Sequence, residues 1–272
     1  MEVVHPYSGV HLVCSVINIH PISYSSLDQE LKVSLLLKTH NRAALTHKTV
    51  KRNLTLAGYD NYELLIWDNG STEKNTISLM EEFKPAYHRH YPENIGSAQG
   101  TNQLILNATG DLFVDFGCDI QLPNNWLGQW VDVYQKLREV DKKVGVIAYH
   151  WGHGKWEKPV MINDILVCPT ENAFGTALFG REVMDAIGSM NEWTKYGIWD
   201  GDFHYRTRMA GFENFHMEGT MATHMGHDAG QQTPYRLMKD ENLREASKIW
   251  DTVLPEYISG KRDYFVTPPE KL

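Results

Sequence analysis

The residues that could do chemistry lie mostly at the ends of apolar runs. Asp119, in Gly117-Cys118-Asp119, and His224 offer an oxygen and a nitrogen donor to a divalent cation. A hard ion such as Mg²⁺ or Mn²⁺ keeps only one or two protein donors when phosphate oxygens supply the rest. An imidazole in the set tilts the preference toward Mn²⁺. Asp200 and Asp202, in Trp199-Asp200-Gly201-Asp202-Phe203, fall where a helix should begin, and the positive end of a helix stabilises a carboxylate. Asp200 is the candidate general base, and Asp202 or Arg206 is expected to support the helix entry and the acceptor side. Lys38, Thr39, His40 and Asn41 follow one apolar run and Asp68 and Asn69 another, a set able to grip a nucleotide and offset phosphate charge. Asn94, Gly96, Gly100 and Asn102 punctuate a stretch that resembles a phosphate-cradling loop but lacks the full dinucleotide fingerprint. Close backbone approach beside the nucleotide, with Asn94 or Asn102 fixing the loop, is the expectation there. Trp151, Trp156 and Trp199 are flat surfaces on which a sugar ring can stack. Each has a plain alternative: a turn cap for the carboxylates, core packing for the tryptophans, an ordinary histidine at 224.

The elements that must position these residues alternate. Val33–Leu37 reads as a buried strand feeding a helix over 43–56, and Tyr62–Trp67 as a second strand before a helix near 72–83. Tyr87–Tyr91, a helix over 97–108 and Leu112–Phe116 continue the series. A helix should run from after Asn125 to about Leu137, with strands at Val144–Ala148, Met161–Val167 and Ala177–Phe179. Helices are expected over 181–187, 203–210 and 235–250. Such alternation specifies a parallel sheet flanked by helices, with its binding crevice at the carboxyl ends of the strands. The segment His150–Lys158 reads as a Trp-, Gly- and His-rich loop, and Val10–Ile19 as an added strand or arm.

Bulk properties narrow the classes. The chain has 272 residues, 42% hydrophobic and 22% charged, enough to bury a large core. A formal charge of −8 argues against a protein that depends on wrapping nucleic-acid phosphates, although a local basic cleft stays open. Cys14, Cys118 and Cys168 are too few and too widely spaced for a disulfide framework, so a reducing cytoplasm is the expected setting. The apolar stretch 10–22 contains His11, Asn18 and His20 and follows no basic segment, unlike a secretory leader, and no run is long enough to span a membrane.

Taken in order, Val33–Arg42, Asp68-Asn69-Gly70-Ser71, Asn94-Ile95-Gly96 with Asn102, Gly110-Asp111 through Asp119, and Asp200–Gly211 resemble the inverting family 2 glycosyltransferases of GT-A fold. The resemblance covers about residues 32–227. It implies a Rossmann-like α/β fold, a mostly parallel central sheet flanked by helices in a single domain. Residues 1–31 would be an N-terminal extension, 32–119 a nucleotide-binding half, 120–227 an acceptor half, and 228–272 a C-terminal helical extension. It further implies transfer of a sugar from a nucleotide-diphosphate donor, UDP-sugar first and GDP- or dTDP-sugar as alternatives, with the base at Asp200 and Mn²⁺ or Mg²⁺ as cofactor. The acceptor stays open. Two departures stand out: the family's Asp-x-Asp is Gly117-Cys118-Asp119 here, and its Glu-Asp pair is Trp199-Asp200. The missing first carboxylate keeps a catalytically silent nucleotide-sugar or glycan-binding module in view. A sugar nucleotidyltransferase is a third reading, for which Thr39-His40-Asn41-Arg42 is a poor phosphate loop.

Overall fold

Val33, Leu35, Leu36 and Leu37, with Ser34 among them, are all buried because their strand is covered on both faces in the structure, a computed structural model. It describes residues 2–4, 11–13, 30–140, 142–149, 160–162, 164–171, 173, 176–217, 222–225 and 234–272. In chain order the elements are β1 (Glu2–Val4), β2 (His11–Val13), β3 (Val33–Thr39), α1 (Ala43–Thr55), β4 (Tyr62–Asn69), α2 (Thr76–Glu81), β5 (Tyr87–Tyr91), α3 (Ser97–Ile105), β6 (Leu112–Phe116) and β7 (Ile120–Gln121). There follow α4 (Trp126–Glu139), β8 (Val144–Tyr149), β9 (Val160–Ile162), β10 (Ile165–Thr170), β11 (Ala177–Gly180), α5 (Arg181–Ile187), α6 (Trp199–Met209), β12 (Glu213–Met217), β13 (Thr223–His224) and α7 (Pro234–Ile258).

Nine of these strands form one sheet in the order β5-β4-β3-β6-β11-β8-β12-β10-β9. The first four are mutually parallel. Beyond them β11 and β10 run against the rest, so the sheet is mixed but mostly one-directional. The carboxyl ends of β3, β4, β5 and β6 therefore open on one edge, where Lys38 to Arg42, Asp68 to Ser71, Asn94 to Gly96 and Gly117 to Asp119 emerge.

Side chains alternate between the two faces along each strand. Val33, Leu35, Leu37, Val114 and Phe116 enter one core cluster with Trp126, Trp130 and Leu137 of α4. Leu36, Trp67 and Phe113 enter the other with Ala98 and Leu104 of α3 and Phe203 of α6. Burying each such aliphatic or aromatic side chain contributes roughly 1.5–3 kcal/mol before the cost of chain entropy.

The structure departs from the sequence expectations in particular places. The single strand expected over 161–167 is two antiparallel strands, β9 and β10, reversed beside Asp164, whose φ of 62° is open to an Asp in a tight turn. Helix α6 starts at Trp199 rather than 203, because Gly197 and Ile198 take positive φ and turn the chain into the helix there. The helix near 72–83 contracts to 76–81, and the last helix extends through Pro255 to Ile258. Strand β12, which polar Glu213, Asn214 and His216 hide from an apolar-run reading, was not expected. Of the arm read at 10–19, His11–Val13 pairs with Glu2–Val4, and its residues from 14 on lie outside the described residues, as does the loop 150–158 with Trp151 and Trp156. Among the described residues no helix is long and apolar enough to cross a membrane.

Candidate active site

The sheet edge opens into a cavity of about 250 Å³ walled by Lys38 to Arg42 at the end of β3 and just past it, Asn69, Ser97, Asp115 to Ile120, Thr176, Tyr196, Trp199, Asp200, His224 and Lys239. Residues 162 positions apart, Lys38 and Asp200, thus share one hollow.

Asp119 and His224 meet there. β13 pairs with β7 so that His224 stands opposite Ile120, and the Met225 N–H donates to the Asp119 carbonyl at 2.7 Å. This brings His224 Nε2 to 3.6 Å from Asp119 Oδ2. The Arg42 guanidinium lies 3.4 Å from the same oxygen. The two donors suit a hard divalent ion that completes its shell with phosphate oxygens and water. No cluster of three or more His, Cys, Asp or Glu occurs among the described residues, so a cation here would need donors from its ligand. Between Gly117 and Asp119, the Cys118 thiol is pushed up to about 11 by burial and by Asp119, with Arg42, Thr46 and Lys38 opposing, and it is neutral at physiological pH.

The loop after β3 is held rigidly. Asn41 and Arg42 take φ of 55° and 58°. The Asn41 side-chain oxygen accepts from the N–H groups of Thr72 and Glu73, its own N–H donates to Ser71 Oγ at 2.6 Å, and His40 Nδ1 lies 2.8 Å from the Asn69 carbonyl. Glu73 accepts from the Arg42 and Ala43 N–H groups, both at 2.8 Å, and so caps the open end of α1 from another loop.

Several residues expected at the site stand behind it. Asp68 is fully buried, accepts from the Ser71 N–H, and lies 2.8 Å from His90 Nδ1. The Asn69 amide bonds both the Gly96 carbonyl and the Ile95 N–H. Asn94 donates to the Tyr196 hydroxyl and accepts from the Gly96 N–H. Asn102 donates to the Met190 carbonyl and to Glu192 and accepts from the Met190 N–H, tying the segment before α6 to α3. Gly96 has φ 100°, and a Cβ there would sit 2.7 Å from Lys195 Cα. None of Asp68, Asn94, Gly96 or Asn102 lines the cavity; they fix the loops that do. Asp202 is likewise off the cavity wall. Its carboxylate is fully buried against Arg206 at 2.7 Å and accepts from Asn191 and the Tyr257 hydroxyl, a junction of α6 with α7. The acceptor role expected of Asp202 therefore has no geometric support, because its oxygens are consumed inside the core. Trp151 lies outside the described residues.

Asp200 occupies the first turn of α6, with one oxygen accepting from the Gly201 N–H at 2.9 Å. Burial raises its pKa above the ordinary aspartate range and Asp115 adds to the rise, against the Gly201 hydrogen bond and Lys38. Lys38 donates to Thr101 Oγ1 at 2.6 Å, pairs closely with Asp115, and lies 5.3 Å from the centre of the Trp199 ring. Asp115, Tyr196 and Lys239 were missed from sequence. Asp115 had a signal, a lone charge inside the apolar run Leu112–Phe116. Lys239, whose Nζ lies 5.7 Å over the Tyr196 ring, had none.

The architecture has solved counterparts. A mannosyltransferase from Pyrobaculum calidifontis, in complex with GDP-Man and Mn²⁺, superposes with a TM-score of 0.60 at 18% identity, covering 79% of this chain and 62% of that one. TarS 1–349 of S. aureus, in complex with UDP, gives 0.51 at 16% identity over 70% and 59%. These likenesses define a glycosyltransferase fold of GT-A type, as the motifs implied. The sequence profile of Glycosyl transferase family 2 matches residues 34–191, more than half of the chain, and the protein belongs to that family. Among curated proteins it is 28% identical over 126 residues to the dolichyl N-acetyl-alpha-D-glucosaminyl phosphate 3-beta-D-2,3-diacetamido-2,3-dideoxy-beta-D-glucuronosyltransferase of Methanococcus voltae. It is 24% identical over 124 residues to the uncharacterized glycosyltransferase YfnE of Bacillus subtilis (strain 168). The matches take in 43% and 44% of this chain and only 38% and 30% of those relatives' lengths.

Proposed function

We propose that the protein transfers a sugar from a nucleotide-diphosphate donor to an acceptor hydroxyl by a single inverting displacement, with Asp200 as base. The observation that carries this reading is that Asp119, His224 and Asp200, far apart in sequence, wall one cavity at the carboxyl edge of the sheet. Asp119 and His224 would hold Mn²⁺ or Mg²⁺, which supplies positive charge against the departing diphosphate. Lys38 to Asn41 and Asn69 form the donor wall, backed by Asp68, Asn94, Gly96 and Asn102. Asp200, with its pKa raised and its position fixed at a helix start, takes the proton of the attacking hydroxyl. Trp199 offers the acceptor a flat face. The structural counterparts bind GDP-Man and UDP, so UDP and GDP head the donor bases to test, with dTDP as the further alternative.

A second reading, a nucleotide-sugar-binding module without turnover, is favoured by Gly117 in place of a carboxylate and by Arg42 beside Asp119. A thermal-shift series with UDP, GDP, dTDP and their sugars, with and without Mn²⁺, tests donor binding, since a ligand of the folded state raises its stability. Mn²⁺-dependent stabilisation together with slow hydrolysis of the same nucleotide sugar supports the enzyme. Stabilisation with no hydrolysis or transfer supports the module, and no stabilisation by any nucleotide overturns both.

A further inference from the structure

Lys38 and Asp115 are an ion pair in an unusual place. β3 and β6 are adjacent and parallel, with Leu36 opposite Asp115, so Lys38 and Asp115 both continue the face that carries Leu36 and Phe113. Leu36 and Phe113 fill that face directly below them, with Ser34 further back on β3. At the edge the series ends in two opposite charges that remain only 14% and 16% exposed. A desolvated pair of this kind adds little net stability compared with apolar residues of the same size, so the fold does not call for it. What it does reach is the helix that carries the base: the Lys38 ammonium is fixed by Thr101 on one side and lies 5.3 Å from the Trp199 ring on another, and Trp199 precedes Asp200.

We propose that Lys38 and Asp115 are positioning residues for Asp200, Lys38 seating Trp199 and the pair together setting the electrostatic surroundings in which the Asp200 carboxylate works. The inference rests on Asp200 being the base. A cation held near an aromatic face in a site shielded from water is attracted to it, which keeps the first turn of α6 against the sheet edge. The charges act in opposite senses on Asp200: Asp115 pushes its pKa up and Lys38 draws it down. Other charged or titratable groups on the wall are His40 and Arg42 after β3, Cys118 and Asp119 after β6, Tyr196 ahead of α6, His224 on β13 and Lys239 on α7. Cys118 is neutral at physiological pH. Asp202, on the same helix, is already neutralised by Arg206.

The test reads Asp200 directly. In protein carrying ¹³C-carboxyl aspartate and no ligand, the Asp200 resonance is the one lost in Asp200→Asn, and its titration midpoint is followed in variants. Lys38→Met should raise the midpoint and Asp115→Asn lower it, each by about one pH unit, the scale of a nearby charge in a partly desolvated site. Lys38→Arg should leave it close to wild type. Midpoints that do not move in either charge-removing variant overturn the proposal, as does movement in the same direction in both, which a merely structural disturbance would produce. If Lys38→Met does not fold, the near-isosteric Asp115→Asn carries the decision alone. Hydrolysis of UDP-glucose or GDP-mannose by Asp200→Asn separates the two levels: undiminished turnover sinks the role of Asp200 as base, whereas lost turnover with unmoved midpoints sinks only the Lys38–Asp115 inference.

Discussion

Asp200 and Asp119 make different demands on their surroundings. As the proposed base, Asp200 must be ionised to take a proton, so with its pKa raised by burial and by Asp115, transfer should fall on acidification at a higher pH than an ordinary aspartate would dictate. The acid limb of a rate profile measures it. Asp200→Asn keeps the shape of the side chain and removes the proposed base; transfer should drop by about 10²- to 10⁴-fold with donor affinity nearly unchanged. Turnover near that of wild type would exclude the role. Asp119→Ala should act otherwise, abolishing the stabilisation that Mn²⁺ adds to nucleotide binding while leaving thermal stability without ligand close to wild type, since the side chain is exposed to the cavity and its partners are a half-exposed arginine and histidine. Sequence pointed to Asp119, His224 and Asp200 because hard-ion ligands and bases come from a short list of residue types. Asp202, of the same type and two residues away, belongs to the core instead, and only the packing of α7 distinguishes them.

At the scale of elements, α6 is held by its buried ion pair and the amino-end edge of the sheet, opposite the cavity, by a shared carboxylate. Arg206, fully buried, donates to Asp202 and to the carbonyls of Ile187, Ser189 and Tyr264, joining α5, α6 and the C-terminal segment. Asp202→Ala leaves that guanidinium buried without its counter-charge and should destabilise the protein by about 3–5 kcal/mol in chemical denaturation. Gly96→Ala places a methyl group on the Lys195 backbone at a dihedral nearly reserved for glycine, about 1–3 kcal/mol of strain. Its effect should extend to activity, because Lys195 leads directly into Tyr196 and Trp199. Glu63 joins β4 to β3 and to the turn before β6. Burial opposes its ionisation, yet hydrogen bonds from Ser34, Thr109 and Lys32 prevail and hold its pKa down to about 2. A depressed carboxylate contributes stability that is fully present above its unfolded pKa and lost as pH falls toward the folded one. Acid unfolding of the wild type should therefore steepen from about 4.5 down to about 2, and Glu63→Gln should flatten that part of the curve.

For the whole molecule, the family profile ends at residue 191 and leaves α6, β12, β13 and the C-terminal helix uncovered. Helix α7 is fastened to the site by Leu243 and Ala246 against Gly197, by Trp250 beside Trp193 and Tyr205, and by the Tyr257 hydroxyl on Asp202. It thereby brings Lys239 into the cavity wall. Lys239→Ala should raise KM for one of the two substrates about tenfold, the worth of one charge-assisted hydrogen bond, with the thermal midpoint unmoved. An unchanged KM for both would remove Lys239 from the site. The sequence by itself determined the alternation of strands and helices, the parallel core of the sheet and the edge on which the polar loops emerge. These follow from local periodicity and turn chemistry, which neighbouring residues decide among themselves. Which carboxylates reach the cavity, the meeting of His224 with Asp119, the Lys38–Asp115 pair and the arrival of Lys239 were decided only by the tertiary structure. The Lys38–Asp115 pair joins residues 77 positions apart and the Asp119–His224 meeting residues 105 apart, and all of these contacts are set by packing and strand register rather than by any pattern within one segment.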